Sequence, residues 1–328
     1  MKKQDLVNLV KEKLQMTGFQ PSDTLVLAVS GGPDSMALLD IFIRLKADYS
    51  CQLVVVHVNH KLRKTSARDQ KLVERYCNTH NLLCITKQVD VGAHLGKNRG
   101  GIEEKARELR YKTLRQVARK MKAKFIVTAH NRDDQVETIV FNFLRGSGLR
   151  GLGGMREVSG DIIRPLISVP KKELLALVKK HKVPFVVDPS NRSMEFTRNR
   201  IRHRLLPVLR EYNPAIDKLL IQNSYIFGQA ELVIDNLVRH YLSLMRDPKT
   251  DKVSISISKL AELTPFMQVE VIKAAIRETL GSLERIKKVH FDEIFKLIAS
   301  GKSSSSKSLP GKLFVQKAYD KITISRAL

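Results

Sequence analysis

Apolar and polar positions alternate between two rhythms along this chain. Short apolar runs fall at Thr24–Ser30, Cys51–Val58, Leu82–Val91 and Lys124–His130, the length of buried strands. Between them, apolar residues recur at helical spacing over Ser35–Arg44, Ser66–Thr79 and Glu103–Lys122. The first fifteen residues form one more amphipathic helical pattern. Strands alternating with helices predict a parallel twisted sheet with helices on both faces, a Rossmann-like α/β fold. Ligands of such sheets gather at the carboxyl ends of the strands, near the topological switch point.

After Asn213-Pro214 the rhythm changes. Ala215–Met245 reads as a long helix, Val253–Ile257 as a strand, and Pro265–Leu280 and Ile286–Ser300 as helices. Gly301–Lys307 reads as a polar hinge before two terminal strands, Lys312–Lys317 and Lys321–Ser325. The expectation is a catalytic α/β domain over 1–213, including a basic helical extension, and a smaller α+β domain over 214–328. Two further segments stand out. Leu144–Met155 is rich in glycine and reads as a mobile loop near a ligand. Lys171–His181 and Asn191–Arg210 read as basic helices.

Charge sharpens the picture. Across 328 residues, 58 Lys and Arg stand against 33 Asp and Glu, a net charge of +25. A surplus of this size favours a polyanionic partner, with nucleic acid first. It gathers in tracts: Lys112, Arg115, Arg119, Lys120, Lys122 and Lys124; then Lys171, Lys172, Lys179, Lys180 and Lys182; then Arg198, Arg200, Arg202 and Arg204. No run reaches the ~18 apolar residues of a membrane span, and no signal-peptide core is evident, so the expected compartment is the cytoplasm. Cys51, Cys77 and Cys84 form no Cys-x-x-Cys pair, which predicts neither a disulfide framework nor a zinc site.

The first strand stops at Ser30-Gly31-Gly32-Pro33-Asp34-Ser35, and a helix begins at once. Two glycines at a strand-to-helix turn let backbone N–H groups approach an anion, and the helix dipole adds to the attraction. The Gly-Lys-Ser/Thr ending of a Walker A loop is absent. The string resembles the PP-loop of the ATP pyrophosphatase superfamily, whose members split ATP between the α and β phosphates. The second strand ends in His57-Val58-Asn59-His60-Lys61-Leu62-Arg63, a pocket lining or a polar turn. The fourth ends in Thr128-Ala129-His130-Asn131-Arg132-Asp133-Asp134-Gln135-Val136-Glu137-Thr138, with more carboxylates than one helix cap requires. Arg107, Arg110 and Tyr111 share a face of the helix between, either a salt-bridged surface or a grip for an anion or a base.

Taken together, Ser30–Ser35, His57–Arg63, Glu104–Tyr111, Thr128–Thr138, Arg145–Met155, Arg164-Pro165-Leu166 and Asp188–Pro207 resemble the tRNA(Ile)-lysidine synthase family. The tail, with Leu309-Pro310-Gly311 before a terminal hairpin, looks like that family's first C-terminal domain; longer relatives carry a second. The resemblance implies a ligase joining free L-lysine to C2 of the wobble cytidine of an isoleucine tRNA with a CAU anticodon. ATP would be co-substrate with Mg²⁺. It implies ATP contacts from Ser30, Gly31, Gly32, Pro33, Asp34, Ser35, His57 and Asn59, and tRNA contacts from Arg63, Arg107, Arg145, Arg150, Arg198 and Arg202. Catalytic duties would fall to Asp34, Asp134, Arg110 and His130, with Asp34 and Asp134 also at the metal and either one as base. A homodimer stays open. A tRNA thiolase of the same superfamily is the nearest rival, and the cysteine spacing argues against it. A small-molecule PP-loop ligase leaves the basic tracts unexplained, and a catalytically dead RNA-binding protein would not need both the intact loop and its carboxylates.

Overall fold

A computed structural model of the protein describes residues 5–46, 49, 51–59, 66–90, 92, 101–187, 194–245 and 252–327, with backbone alone for Ile102 and Glu103. The chain forms two units, Met1–Gly228 and Gln229–Leu328.

The first unit is built on a six-stranded sheet, β1 (Thr24–Ala28), β2 (Gln52–Asn59), β3 (Leu83–Gln88), β4 (Phe125–Thr128), β5 (Val158–Ser159) and β6 (Ile162–Ile163), in the order β3-β2-β1-β4-β6-β5. All neighbours are parallel except the β5–β6 hairpin. That hairpin was not evident in the sequence, because its strands have two residues each. Side chains alternate across a strand, and β1 shows the result. Leu25, Leu27 and Val29 enter a core with α1 (Leu6–Gln15), α2 (Pro33–Leu45), α3 (Ser66–Thr79) and α7 (Lys171–Lys180). Val26 and Ala28 face the other way, onto Leu114, Val117 and Ala118 of α4 (Ile102–Lys120). Both faces of β1 are covered, so it reads as an unbroken apolar run.

Two helices organise the carboxyl edge of this sheet. Pro33 opens α2, where its fixed φ suits the first turn. Asn131 opens α5 (Arg132–Leu144) with a reciprocal cap: the Asp134 N–H donates to Asn131 Oδ1 at 3.0 Å, and the Asn131 N–H donates to Asp134 Oδ2 at 3.1 Å. The Gly-rich segment expected as a mobile loop is instead built and pinned. It contains a short helix, α6 (Leu149–Leu152). Both ends of the Gln135 amide bond the Met155 backbone, at 3.1 and 2.8 Å, and Asn142 Nδ2 donates to the Gly151 carbonyl at 2.7 Å. Local glycine content was misleading because these anchors lie on α5. Beyond α7, the helix expected over Asn191–Arg210 resolves into α8 (Thr197–Arg200), a π turn at Ile201–Leu205 and α9 (Leu206–Tyr212).

The second unit begins within the thirty-residue α10 (Ile216–Met245). Its antiparallel sheet runs β7 (Val253–Ser256), β10 (Lys321–Arg326), β9 (Leu313–Ala318), β8 (Ser304–Leu309). It packs against α12 (Pro265–Leu280) and α13 (Lys288–Ala299), with α11 (Ile257–Ala261) following β7. The polar hinge expected at Gly301–Lys307 is largely strand β8: an edge strand with one paired side shows no apolar run, so its serines concealed it. Among the described residues, no helix is long and apolar enough to cross a membrane.

Candidate active site

The loop after β1 is a preformed cradle. Gly31 sits at φ +88°, where side-chain-bearing residues are strained. A Cβ there would also stand 3.4 Å from Val186 Cγ2 and 3.5 Å from Val73 Cγ2. The Val186 N–H donates to the Gly31 carbonyl at 2.9 Å, which holds the loop from outside. Inside it, the Ser30 N–H donates to Ser35 Oγ at 3.2 Å, and Ser35 Oγ–H donates to the Gly32 carbonyl at 3.0 Å. These bonds fix the hydroxyls beside the first turn of α2, where the helix dipole favours an anion.

Beneath the loop, His57 is buried and its Nδ1 lies 3.0 Å from the Val29 carbonyl. Burial lowers its pKa, so the ring is neutral with the proton on Nδ1. Buried Asn59 donates to Gln70 Oε1 at 3.3 Å and to the Ser66 carbonyl at 3.4 Å. Both residues, expected at the ATP pocket, are buried at the end of β2. His60 and Arg63 lie outside the described residues, as do Asp188 and Asn191.

Three carboxylates gather where α2, α5 and α7 begin. Asp34 Oδ2 lies 3.6 Å from Lys171 Nζ, while its buried Oδ1 has no hydrogen-bond partner. Burial pushes the Asp34 pKa up to about 6 against the pull of Lys171, and the neighbouring Asp134 pushes the same way. Asp133 Oδ2 accepts the Lys171 N–H at 2.8 Å, and the Arg132 N–H donates to the Val169 carbonyl at 2.9 Å. These bonds pin the start of α7 to the start of α5. Arg202, expected on the RNA track, pairs within the protein while staying partly exposed: its Nε and Nη2 donate to the two oxygens of Glu137 at 2.5 and 2.9 Å, and Nη2 lies 3.7 Å from Asp134 Oδ1.

On the β4 side the charge is reversed. His130 Nδ1 lies 2.8 Å from Thr128 Oγ1. Its pKa is held well below the usual value, first by burial and then by Arg110, Arg107, Arg164 and Arg198. The ring is therefore neutral and suited to hydrogen bonding rather than to carrying charge. Arg107 lies over the Tyr111 ring, 5.2 Å from its centre. Arg145 and Arg198 approach the Phe141 ring at 4.7 and 5.7 Å. Arg150 is exposed on α6. The first basic tract lies elsewhere: Arg115, Arg119, Lys122 and Lys124 line a cavity of about 490 Å³ at the amino end of β4. There Arg115 is tied to Asp161 at 2.9 Å.

Among the described residues, four buried side-chain atoms have no hydrogen-bond partner: Asp34 Oδ1, Asp69 Oδ1 (3.6 Å from Arg68 Nε), Asn131 Nδ2 and Arg164 Nε. All four residues belong to the carboxyl edge of the sheet. Asp34 and Asn131 open the helices after β1 and β4, Arg164 follows β6, and the Asp69 backbone adjoins Gly31. Buried polar groups left unpaired are uncommon and call for a ligand or solvent. The sequence singles out the Arg164-Pro165-Leu166 motif without a role for Arg164, and it does not show the site role of Lys171. Lys171 had been assigned to a basic tract; its place directly after Pro170, at a helix start, was the signal that it could point inward.

A glycine cradle at the strand-to-helix turn where β1 and β4 diverge defines the PP-loop class. The chain matches the PP-loop domain family over residues 3–209 and belongs to it. Among curated proteins it is 32% identical over 284 residues to the tRNA(Ile)-lysidine synthase of Thermosipho africanus, covering 85% of this chain and 65% of that one. It is 31% identical over 303 residues to the tRNA(Ile)-lysidine synthase of Geobacillus kaustophilus, covering 90% and 65%. The chain thus spans just under two thirds of these relatives' length. Among solved structures, the U34-tRNA thiolase NcsA of Methanococcus maripaludis shares the fold, with a TM-score of 0.55 at 18% identity over 67% of this chain and 77% of that one.

Proposed function

We propose that this protein joins free L-lysine to C2 of the wobble cytidine of a CAU-anticodon isoleucine tRNA, using ATP. The carrying observation is a PP-loop bounded by unpartnered polar atoms of both signs, in a chain similar to lysidine synthases over most of its length. The cytosine O2 attacks the α phosphorus of ATP and diphosphate leaves. The lysine ε-amine then attacks C2, the C2–O bond breaks, and AMP departs. One hard displacement becomes two easier ones.

The residues divide along those steps. The backbone of Ser30, Gly31 and Gly32 and the hydroxyls of Ser30 and Ser35 receive the departing diphosphate. The free Oδ1 of Asp34 fits magnesium, a hard cation that takes one or two carboxylates plus phosphates. Asp134 stands near enough to share that duty. When bound, the ion would neutralise developing phosphate charge.

Lysine in water has a pKa near ~10.4 and arrives protonated. A base must take that proton. Asp34 is the better placed of the two candidates, because Asp134 already spends Oδ2 on its helix cap and faces Arg202. The duties of Asp34 separate in time: adenylation comes first, and amine attack follows once diphosphate has left. Arg110 steadies charge on phosphate or base, and neutral His130 orients the base. Catalysis is assigned to residues 1–213 and tRNA contact to Arg63, Arg107, Arg145, Arg150, Arg198 and residues 214–328. Such a protein acts in the cytoplasm.

The test is incubation of purified protein with ATP, labelled lysine and bulk tRNA, followed by nucleoside analysis. A labelled cytidine derivative and stoichiometric AMP support the reading. Absence of label in the nucleoside pool, with the protein folded and ATP bound, overturns it.

A further inference from the structure

Arg164 is a buried cation without an internal counter-charge. It is 6% exposed, and its Nε has no partner. Its Nη1 donates to the Arg156 carbonyl at 2.8 Å, and its other neighbour is the Tyr111 hydroxyl. Among the described residues, Arg164, Arg107 and Arg110 form no ion pair with any carboxylate. Burying an unpaired guanidinium is strongly unfavourable. Placing three near one neutral histidine compounds the cost. Such an arrangement persists where an anion arrives from outside.

Sheet order says which anion. In β3-β2-β1-β4-β6-β5, the phosphate cradle follows β1. Ile163 pairs with Val127, so Arg164, the first residue past β6, lies in the row of Thr128 at the end of β4. It is two strands from the cradle, on the side away from β2. Adjacent strands lie about 4.8 Å apart, so about 10 Å separates the two rows. Arg107 and Arg110 come from α4, which enters β4 and covers the same face. On the proposed function the cradle takes the diphosphate of ATP, which leaves the cation cluster at β4 and β6 for the second substrate.

We propose that Arg164 is the buried positioning member of an RNA-phosphate receptor formed with Arg107, Arg110 and Tyr111 at the carboxyl ends of β4 and β6. Arg107 and Arg110, only half buried, touch the phosphodiester beside the target nucleotide. Arg164 braces the Tyr111 hydroxyl beneath them, and Tyr111 carries Arg107 on its ring. Arg164 and Tyr111 strengthen RNA binding and make no contact with ATP. The inference rests on the proposed function for the identity of its RNA.

The test compares wild type with Arg164→Met, Arg164→Lys and Tyr111→Phe. An anticodon stem–loop RNA of the isoleucine tRNA and ATP alone are separate titrants, each read as a dissociation constant across a salt series. Expected for Arg164→Met is a ten- to hundredfold weaker RNA affinity and a salt slope shallower by about 0.7 to 0.9, the value of the one phosphate contact that Arg107 loses when its support is removed. ATP affinity should stay within twofold. Arg164→Lys should recover part of the RNA affinity, and Tyr111→Phe should lose several-fold while keeping the wild-type thermal midpoint. In turnover, KM for tRNA should rise more than kcat falls. Weakened ATP binding with unchanged RNA binding would assign the cluster to the nucleotide and overturn the proposal. So would an unchanged salt slope, or equal losses for both titrants without rescue by lysine. Wild-type lysidine formation is scored independently: its absence refutes the functional reading alone, because the RNA titrations still decide Arg164.

Discussion

Arg202 and Glu137, sixty-five residues apart in the chain, meet through two hydrogen bonds of 2.5 and 2.9 Å. Glu137 is 3% exposed, and burial raises its pKa even against the pairing. Removing one partner leaves the other charge stranded, at about 3–5 kcal/mol. Arg202→Met should therefore lower the denaturant midpoint sharply. The double variant Arg202→Met/Glu137→Met should regain much of the loss, which denaturation of all three proteins will measure. Activity should fall in each case, because Arg202 also faces Asp134.

Asp34 carries a stability cost that the ligand-free protein exposes. Its folded-state pKa, about 6, exceeds the 3.8 of an ordinary aspartate. The folded state therefore binds the proton more tightly than the unfolded one, and the stabilisation from protonation is complete below pH 3.8 and lost as pH rises through 6. At 1.36 kcal/mol per unit, ionising Asp34 costs up to about 3 kcal/mol. Asp34→Asn should be more stable than wild type above pH 6, with the gap closing towards pH 4, as urea melts across pH will read. The same variant should lose lysidine formation by at least about a hundredfold. Near-normal turnover would remove Asp34 from the mechanism.

Gly31→Ala meets one obstacle, the positive φ; its Cβ would sit in ordinary contact with the methyls of Val186 and Val73. A left-handed alanine costs about 1–2 kcal/mol. The expected result is a thermal midpoint lowered by a few degrees and ATP affinity reduced at least tenfold, read by calorimetry. Wild-type ATP affinity in this variant would show that the cradle does not hold the phosphates.

Gln135 anchors the Gly-rich segment by gripping both sides of the Met155 backbone. Gln135→Leu leaves both backbone groups unpaired. Amide exchange over 146–156 should accelerate at least tenfold, with exchange in β1 and β2 unchanged. Faster exchange throughout the unit would mean that the amide supports the whole core instead.

Much of this architecture was legible because its signals are local. The apolar run of β1 and the start of α2 at Ser-Gly-Gly-Pro each need only neighbouring residues. The placement of Arg202, Lys171 and Arg164 was not legible in the same way. Each looks like one more cation in a basic chain, and only tertiary structure sets it against Glu137, Asp34 or Tyr111. The anchoring of the Gly-rich segment stayed hidden for the same reason. Strand β8 was concealed differently: its serines lack any apolar rhythm, and its identity comes from pairing with β9.

The wide turn at Ile201–Leu205 sets the phase of whatever follows it. Each α-helical residue advances the azimuth by about 100°. Excising one residue there, to restore an ordinary coil, would swing the Arg202 fork away from its acids or turn the buried flank of α9 towards water. The acidic pocket is thereby tuned by backbone count, and a change of length could redirect its cation with every side chain kept.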